Sequence, residues 1–239
     1  MRQPHGYKRA LIKISGEALA GDRSFGFDRG SLFRIASEIA AARLKDIEIA
    51  LVLGGGNIFR GISATELEIP QLVGDHIGML ATILNALIMK SRLERLGLAA
   101  RVLSAFPVGG FVEQFEMEKA RKYLRCGDVL VFAGGTGNPC FTTDSAAALR
   151  AVQIQAEVMI KATQVDGVYD KDPKVYPEAY LFDHITPEEV LSRRLEFMDA
   201  AGTDILGRKR IPVIVLNLHK EGNILRALAG EPVGTLVAE

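Results

Sequence analysis

DVLVFAGGTGNPCFTTDSAAA, residues 128–148, reads as an apolar strand, a glycine-rich turn and a small-residue helix opened by hydroxyls and a carboxylate. Residues 129–132 are the short apolar run of a strand buried on both faces, and Gly134, Gly135 and Gly137 allow a sharp turn and a close backbone approach to a ligand. Thr142, Thr143 and Asp144 supply cap and first-turn residues for a helix over 145–155, whose first N–H groups and positive dipole end would face the turn. An anion suits that position. Strand, glycine turn and helix is also the ordinary βα unit, and most such turns bind nothing. Two phosphate signatures are absent: the chain has no G-x-x-x-x-G-K-[ST] loop, and Gly135-Thr136-Gly137 lacks the third glycine of the dinucleotide fingerprint.

Outward from this stretch, strands alternate with helices. Residues 7–15 (YKRALIKIS) predict a first strand with residues 16–19 as its exit, and Lys13 places an ammonium near its carboxyl end, where a lysine often simply reaches solvent. A polar loop over 21–26 (GDRSFG) precedes a helix capped by Asp28 or Ser31 and running to about Leu44. The second strand, 47–53, runs into GGGNIFRG, residues 54–61. Three successive glycines cost backbone entropy and make room for something, and Arg60 offers a planar fork of donors suited to phosphate oxygens, or else is a surface arginine on a flexible loop.

Residues 71–96 predict one long helix, apolar on nearly every face over 77–89, as suits a core or a subunit interface, with Asp75 and His76 in its first turn. A third strand covers 98–105 and a charged helix 115–125. Beyond the opening stretch lie a strand at 156–162 with Lys161 near its end, an acidic loop at 163–173 carrying Tyr169 and Asp172, and an amphipathic helix at 187–201. A short helix at 204–209, a strand at 212–217, a helix at 221–229 and a last strand at 234–238 follow.

Composition narrows the function classes. At 239 residues and 48% hydrophobic, the chain can bury a sizeable core as one α/β domain over 1–239. Its 29 basic and 29 acidic residues cancel, which removes bulk attraction to nucleic acid or an anionic membrane. Cys126 and Cys140 lack metal-type spacing and suggest no disulfide framework. Residues 1–5 hold no signal-peptide core and no apolar run is read as membrane-spanning, so a cytoplasmic protein is expected.

Alternating strands and helices predict a largely parallel sheet, in which ligands bind outside the carboxyl strand ends. Unusual residues recur there: residues 13–16, 54–60, 134–144 and 161–172. Each has a bland explanation alone; four on one edge point to a phosphorylated ligand.

The set KISGEAL, GGGNIFRG, VGDHIGMLAT, AGTGNPCFTTDSAA and KATQVDGVYDKDP resembles the bacterial uridylate kinases of the amino-acid kinase superfamily, from the first strand to the end of the chain. The resemblance implies a three-layer αβα sandwich, phosphoryl transfer from ATP to UMP in pyrimidine nucleotide (CTP) synthesis, Mg²⁺, a homohexamer, and control by GTP and UTP. It implies ATP-binding positions at Lys13, Ile14, Ser15, Gly16, Gly56, Arg60, Thr163, Tyr169 and Asp172. It implies UMP-binding positions at Gly55, Asp75, Thr136, Gly137, Asn138, Pro139, Cys140, Phe141, Thr142 and Thr143, and a GTP-activation segment at Gly21, Asp22, Arg23, Ser24, Phe25 and Gly26.

Lys13, Arg60 and Lys161 would supply cations to the chemistry, with Asp144 orienting a lysine or the donors around it. Asp75 would accept from a ribose diol. Mg²⁺ would ride on nucleotide phosphates, since no carboxylate cage is visible. Asp199 resembles another family acid, and Cys140 and Gln164 stand where some members carry an aromatic and a lysine. A kinase of amino acids or carbamate, and a non-catalytic oxyanion storage or sensing protein on a similar scaffold, are the alternatives.

Overall fold

The computed structural model describes residues 6–60 and 67–239. Residues 1–5 and Gly61, the last residue of the GGGNIFRG motif, lie outside the described residues. In chain order the strands are β1 (Arg9–Ile14), β2 (Glu48–Leu53), β3 (Ala100–Ser104), β4 (Glu113–Gln114), β5 (Val129–Ala133), β6 (Val158–Thr163), β7 (His184–Ile185), β8 (Val213–Asn217) and β9 (Thr235–Val237). They form one sheet in the order β4-β3-β5-β2-β1-β6-β8-β9-β7, parallel throughout except for the β8–β9 pair.

The described helices are α1 (Glu17–Ala20), α2 (Arg29–Arg43), α3 (Gln71–Glu94), α4 (Met117–Arg125), α5 (Thr143–Gln153), α6 (Pro187–Arg193), α7 (Ala200–Lys209) and α8 (Asn223–Leu228). Side-chain alternation divides the central strands between two cores. Ile12 and Ile14 of β1, Leu51 of β2 and Ile160 of β6 pack with Ile35, Ile39, Met89 and Ile224 on α2, α3 and α8. Leu11, Val52, Phe132 and Met159 pack with Leu124, Ala147, Ala151, Val190 and Leu206 on α4, α5, α6 and α7. The result is the expected three-layer αβα sandwich.

The same alternation aims Lys13 and Lys161 at the α5 layer, since each follows an α5-facing residue, Leu11 or Met159, by two positions. Buried Ala146, Ala147, Ala148 and Ala151 let α5 lie close to the sheet and bring its first turn to the two ammonium groups.

Several expectations need correction. Residues 16–19 do not merely exit β1 but enter α1, and β4 and β7, each of two residues, escape a two-residue alternation test. The helix expected over 187–201 stops at Arg193, because Arg194 turns left-handed (φ 53°) and closes the last turn on Leu191 and Val190. Leu195, Phe197 and Met198 then turn into the α5-side core, and α7 starts anew at Ala200.

Asp75 lies beyond the first turn of α3, which contains no acid, so the helix dipole does not explain it. By length and composition α3 is also apolar enough to cross a membrane, against the expectation that no run is. Here it packs one face into the core through Ile83, Ala86, Met89 and Leu93, with Thr82 and Asn85 buried and hydrogen-bonded beside them.

Candidate active site

The four strand ends singled out in the sequence belong to β5, β2, β1 and β6, which are consecutive in the sheet. Residues 13–16, 54–60, 134–144 and 161–172 therefore share one rim.

At its centre lies a buried charge cluster. Lys13 and Lys161 are register partners on β1 and β6, and each is only 8% exposed. Both reach Asp144, in the first turn of α5: Lys161 donates to Oδ2 at 2.6 Å, and Lys13 forms a less well aligned ion pair with Oδ1 at 2.8 Å. Burial pushes the Asp144 carboxyl up, but Lys13 and Lys161 outweigh it and hold the group below its ordinary value. Burial pulls Lys161 down, and Lys13 adds to that while Asp144 opposes it. Two cations thus sit side by side with one carboxylate between them, and Asp199 lies within electrostatic reach of Lys161.

The glycines around this cluster serve mainly the chain itself. A Cβ on Gly16 would lie 2.6 Å from Asn57 Oδ1 and 2.7 Å from both the Gly54 carbonyl oxygen and the Gly56 nitrogen. A Cβ on Gly55 would lie 2.8 Å from the Gly78 carbonyl oxygen of α3. The room made by Gly54 and Gly55 is therefore taken by the β1 exit and by α3; Gly56, whose added Cβ would meet nothing closer than 3.8 Å, is the one open toward a ligand.

Ile14 is wholly buried and its carbonyl accepts from the Gly54 N–H at 2.9 Å, so its side chain is out of reach of the rim. Arg60 lies at the edge, its Nε donating to the Gly56 carbonyl at 3.1 Å and a terminal nitrogen 3.4 Å from Glu17.

On the β2/β5 side opens a cleft of about 720 Å³, a size suited to a nucleotide. Gly55, Gly56, Asp75, Thr82, Asn138 and Thr143 are among its walls. Asp75 Oδ2 accepts the Cys140 N–H at 2.7 Å and so steadies a non-glycine residue held at φ 67°. Thr136 Oγ1 accepts from Asn138 N and donates to its carbonyl, each at 3.1 Å. On the β6 side a second cavity, of about 490 Å³, is lined by Thr163, Tyr169 and Asp172 together with Phe197. Thr163 Oγ1 braces this loop, accepting from Val165 N at 3.2 Å and donating to its carbonyl at 2.9 Å, while Asp172 Oδ1 accepts from Lys174 N at 2.9 Å. The Asp144–Lys161 pair lines a further cavity with Phe197 and Asp199; Thr143, next to Asp144, also lines the first cleft, and Phe197 the second.

The N-terminus of α5, where the sequence suggested an external anion, is partly occupied from within. Thr142 Oγ1 accepts the Asp144 N–H at 3.0 Å. Asp199 accepts from Ser145 N at 3.0 Å and from Ser145 Oγ at 2.8 Å, and Thr142 Oγ1 also donates to it. Asp199 further caps α7 through Gly202 N at 2.7 Å, so one carboxylate closes two helix ends. Among the described residues no three of His, Cys, Asp and Glu converge as a metal site. Asp144 and Asp199 already have partners, so a divalent ion would depend on ligand phosphates for its coordination.

The 21–26 segment lies along the glycine turn: Gly26 N donates to the Asn57 carbonyl at 2.8 Å and Asn57 Nδ2 returns a bond to the Gly26 carbonyl at 2.9 Å. Asn57, Asn85 and Thr82 were not singled out from sequence. For Thr82 and Asn85 the available signal was a polar residue recurring on one face of an otherwise apolar helix, and for Asn57 its place in the glycine turn.

The profile of the amino acid kinase family matches residues 8–217. A protein named uridylate kinase from Bartonella bacilliformis is 46% identical over 233 residues, covering 98% of this chain and 98% of its own. The crystal structure of UMP kinase from Bacillus anthracis has a TM-score of 0.95 at 35% identity, covering 98% of this chain and 96% of that one. That of UMP kinase from Ureaplasma parvum has a TM-score of 0.92 at 35% identity, covering 97% and 99%.

Proposed function

This chain belongs to the amino acid kinase family, and we propose that it transfers the γ-phosphoryl group of ATP to UMP, giving ADP and UDP. Likeness over nearly the whole chain to proteins named for that activity supports the substrate pair. The observation that carries the chemistry is the Lys13–Asp144–Lys161 cluster sharing one rim with two cavities.

A phosphate oxygen of UMP forms the new bond to the γ-phosphorus, and the bond to the β–γ bridging oxygen breaks, its electron pair leaving with ADP. Negative charge spreads over the equatorial oxygens as this happens, so positioned cations do most of the work. Lys13 and Lys161 lie where that charge would develop, with Arg60 at the edge. Asp144 fixes both ammonium groups. It need not act as a base, because a nucleotide phosphate with a second pKa near about 6 is already largely deprotonated at neutral pH.

ATP takes the backbone of Lys13, Ile14, Ser15, Gly16 and Gly56, with Thr163, Tyr169 and Asp172 around its nucleoside end. UMP takes the cleft of Gly55 and Asp75, with its uracil against residues 136–143. Hydrogen-bond donors and acceptors in that run suit base discrimination, because a wrong base leaves polar groups unpaired. Mg²⁺, held through the phosphates and water, would supply further charge neutralisation.

Residues 21–26 are the proposed seat of activation by GTP. The two bonds between Gly26 and Asn57 tie the end of that segment to the glycine turn. UTP is proposed as a second effector. The exposed Leu72, Val73, Leu80 and Leu84 of α3 support self-association, taken here as a homohexamer. The whole chain acts as one catalytic unit in the cytoplasm, where its UDP feeds CTP synthesis, with no nucleic-acid or membrane partner.

ADP release measured with UMP, CMP, AMP, glutamate and carbamate tests the reading. UMP is expected to be strongly preferred. Preference for either carboxylate would replace the reading with a small-carboxylate kinase, and nucleotide binding without ADP release would replace it with a sensing or storage role.

A further inference from the structure

We infer that Thr82 and Asn85 are positioning residues, Thr82 setting the acceptor half of the site alone and Asn85 the glycine turn shared by acceptor and donor, a view resting on the phosphoryl-transfer reading above.

On α3, Asp75, Gly78, Thr82 and Asn85 follow one another at intervals of three, four and three, and so share one helix face. Each meets a different part of the rim. Asp75 holds the Cys140 amide, and Gly78 backs onto Gly55.

Thr82 Oγ1 accepts the Gly134 N–H at 2.8 Å and gives its own proton to the Met79 carbonyl at 2.7 Å. Although Thr82 lines the acceptor cleft, its hydroxyl is engaged within the protein. What it fixes is the start of the turn, Gly134 at φ 76°, that leads into residues 135–143.

Asn85 serves the glycine turn that both halves share, since its partners Gly54 and Asn57 bracket Gly55 and Gly56. It is fully buried, donates to the Gly54 carbonyl at 2.6 Å and exchanges side-chain hydrogen bonds with Asn57 at 2.6 and 3.1 Å. Gly54 in turn is bonded to Ile14 and packed against Gly16, so holding Gly54 holds the β1 exit that carries the proposed ATP phosphate positions. Both side chains are buried, so removing either leaves a backbone group short of its partner and frees the attached turn to drift. One helix face thus acts on the acceptor alone through Thr82 and on both substrates through Asn85, and the two effects should be distinguishable.

The test compares Thr82→Val, Thr82→Ser, Asn85→Leu and Asn85→Ser, with KM for ATP and for UMP measured separately and ATP affinity measured by calorimetry. Thr82→Val is expected to raise the UMP KM about tenfold while the ATP KM stays within about twofold, and Thr82→Ser to restore the UMP KM. The Asn85 variants are expected to raise both KM values about fivefold or more; if Asn85→Leu fails to fold in a thermal melt, Asn85→Ser carries the measurement. Both KM values rising together in Thr82→Val, the UMP KM rising alone in the Asn85 variants, or a fall in kcat alone, would overturn the inference. A wild type that releases no ADP with UMP would sink the proposed reaction instead. The ATP affinities would still decide this inference, since weakening by Asn85→Ser but not by Thr82→Val supports it and equal weakening by both ends it.

Discussion

Lys13 and Lys161 stand directly opposite each other on adjacent parallel strands, and their ammonium groups grip different oxygens of a single carboxylate. Among the described residues Asp144 is the carboxylate that pairs with both buried cations, while Asp199 adds a longer-range attraction on Lys161. Asp144→Asn should therefore lower kcat by about a hundredfold or more, and Lys161→Ala by a similar factor, with the UMP KM moved far less. Steady-state kinetics check both; a kcat near wild type in either variant would remove the cluster from the chemistry.

The same cluster dictates an acid response. Burial raises the Asp144 carboxyl and the two lysines more than compensate, so its folded value lies below the ordinary 3.8. A carboxyl lowered by folding contributes stability that is complete above its unfolded value and is lost as pH falls through the folded one. Wild-type stability should fall as pH drops from about 5 toward about 2, and Asp144→Asn should fall less steeply over that window. Urea midpoints at stepped pH measure the slope; identical slopes would contradict the linkage.

Asp75→Ala should act on the acceptor. It removes the partner of the Cys140 amide, whose residue is held in a left-handed conformation, and it removes the proposed ribose contact. The UMP KM should rise about tenfold or more with the ATP KM little changed. Equal UMP affinity in variant and wild type would withdraw Asp75 from the acceptor site.

Asp199→Ala should register as lost stability before anything else. Its carboxylate caps α7 and takes hydrogen bonds from Thr142 and Ser145 at the start of α5. Loss of a helix cap costs about 1 kcal/mol, and two ends share this one. A depressed melting temperature is expected, and an unchanged one would show that other groups close these helices.

The exposed α3 leucines give a prediction about assembly. Leu80→Glu with Leu84→Glu places charge on an apolar stripe that faces away from the core. Light scattering should find a wild-type oligomer and a smaller variant species. A wild type already monomeric at working concentration would end the interface reading.

The alternation of strands and helices was legible because the strands are short apolar runs between helical periods; the three layers were expected from the resemblance, and the division of side chains between the two faces emerged from the structure. The clustering of residues 13–16, 54–60, 134–144 and 161–172 followed from parallel strands alone. Sheet order was not legible, because nothing local says that β1 lies between β2 and β6. The 187–201 helix was misjudged because its amphipathic pattern continues past Arg193, while the left-handed turn at Arg194 uses a residue type that carries no turn signal. Asn85, Thr82 and Asp199 were missed as hubs because each also bonds to a distant element: Asn85 to Gly54 and Asn57, Thr82 to Gly134, and Asp199 to Thr142 and Ser145. The three glycines of the 54–56 run were read as making room for something, and the side-chain space at Gly54 and Gly55 is filled by backbone and helix.

The placement of β1 beside β6 has a consequence for synthesis. Lys161 emerges from the ribosome long after Lys13, and everything from β2 to α5 must be made before the pair can meet. A nascent or prematurely terminated chain ending before β6 carries one half of the cation pair and the glycine turns without the other half. Such fragments lack a complete charge cluster, so translation errors upstream of β6 should yield products without phosphoryl-transfer activity.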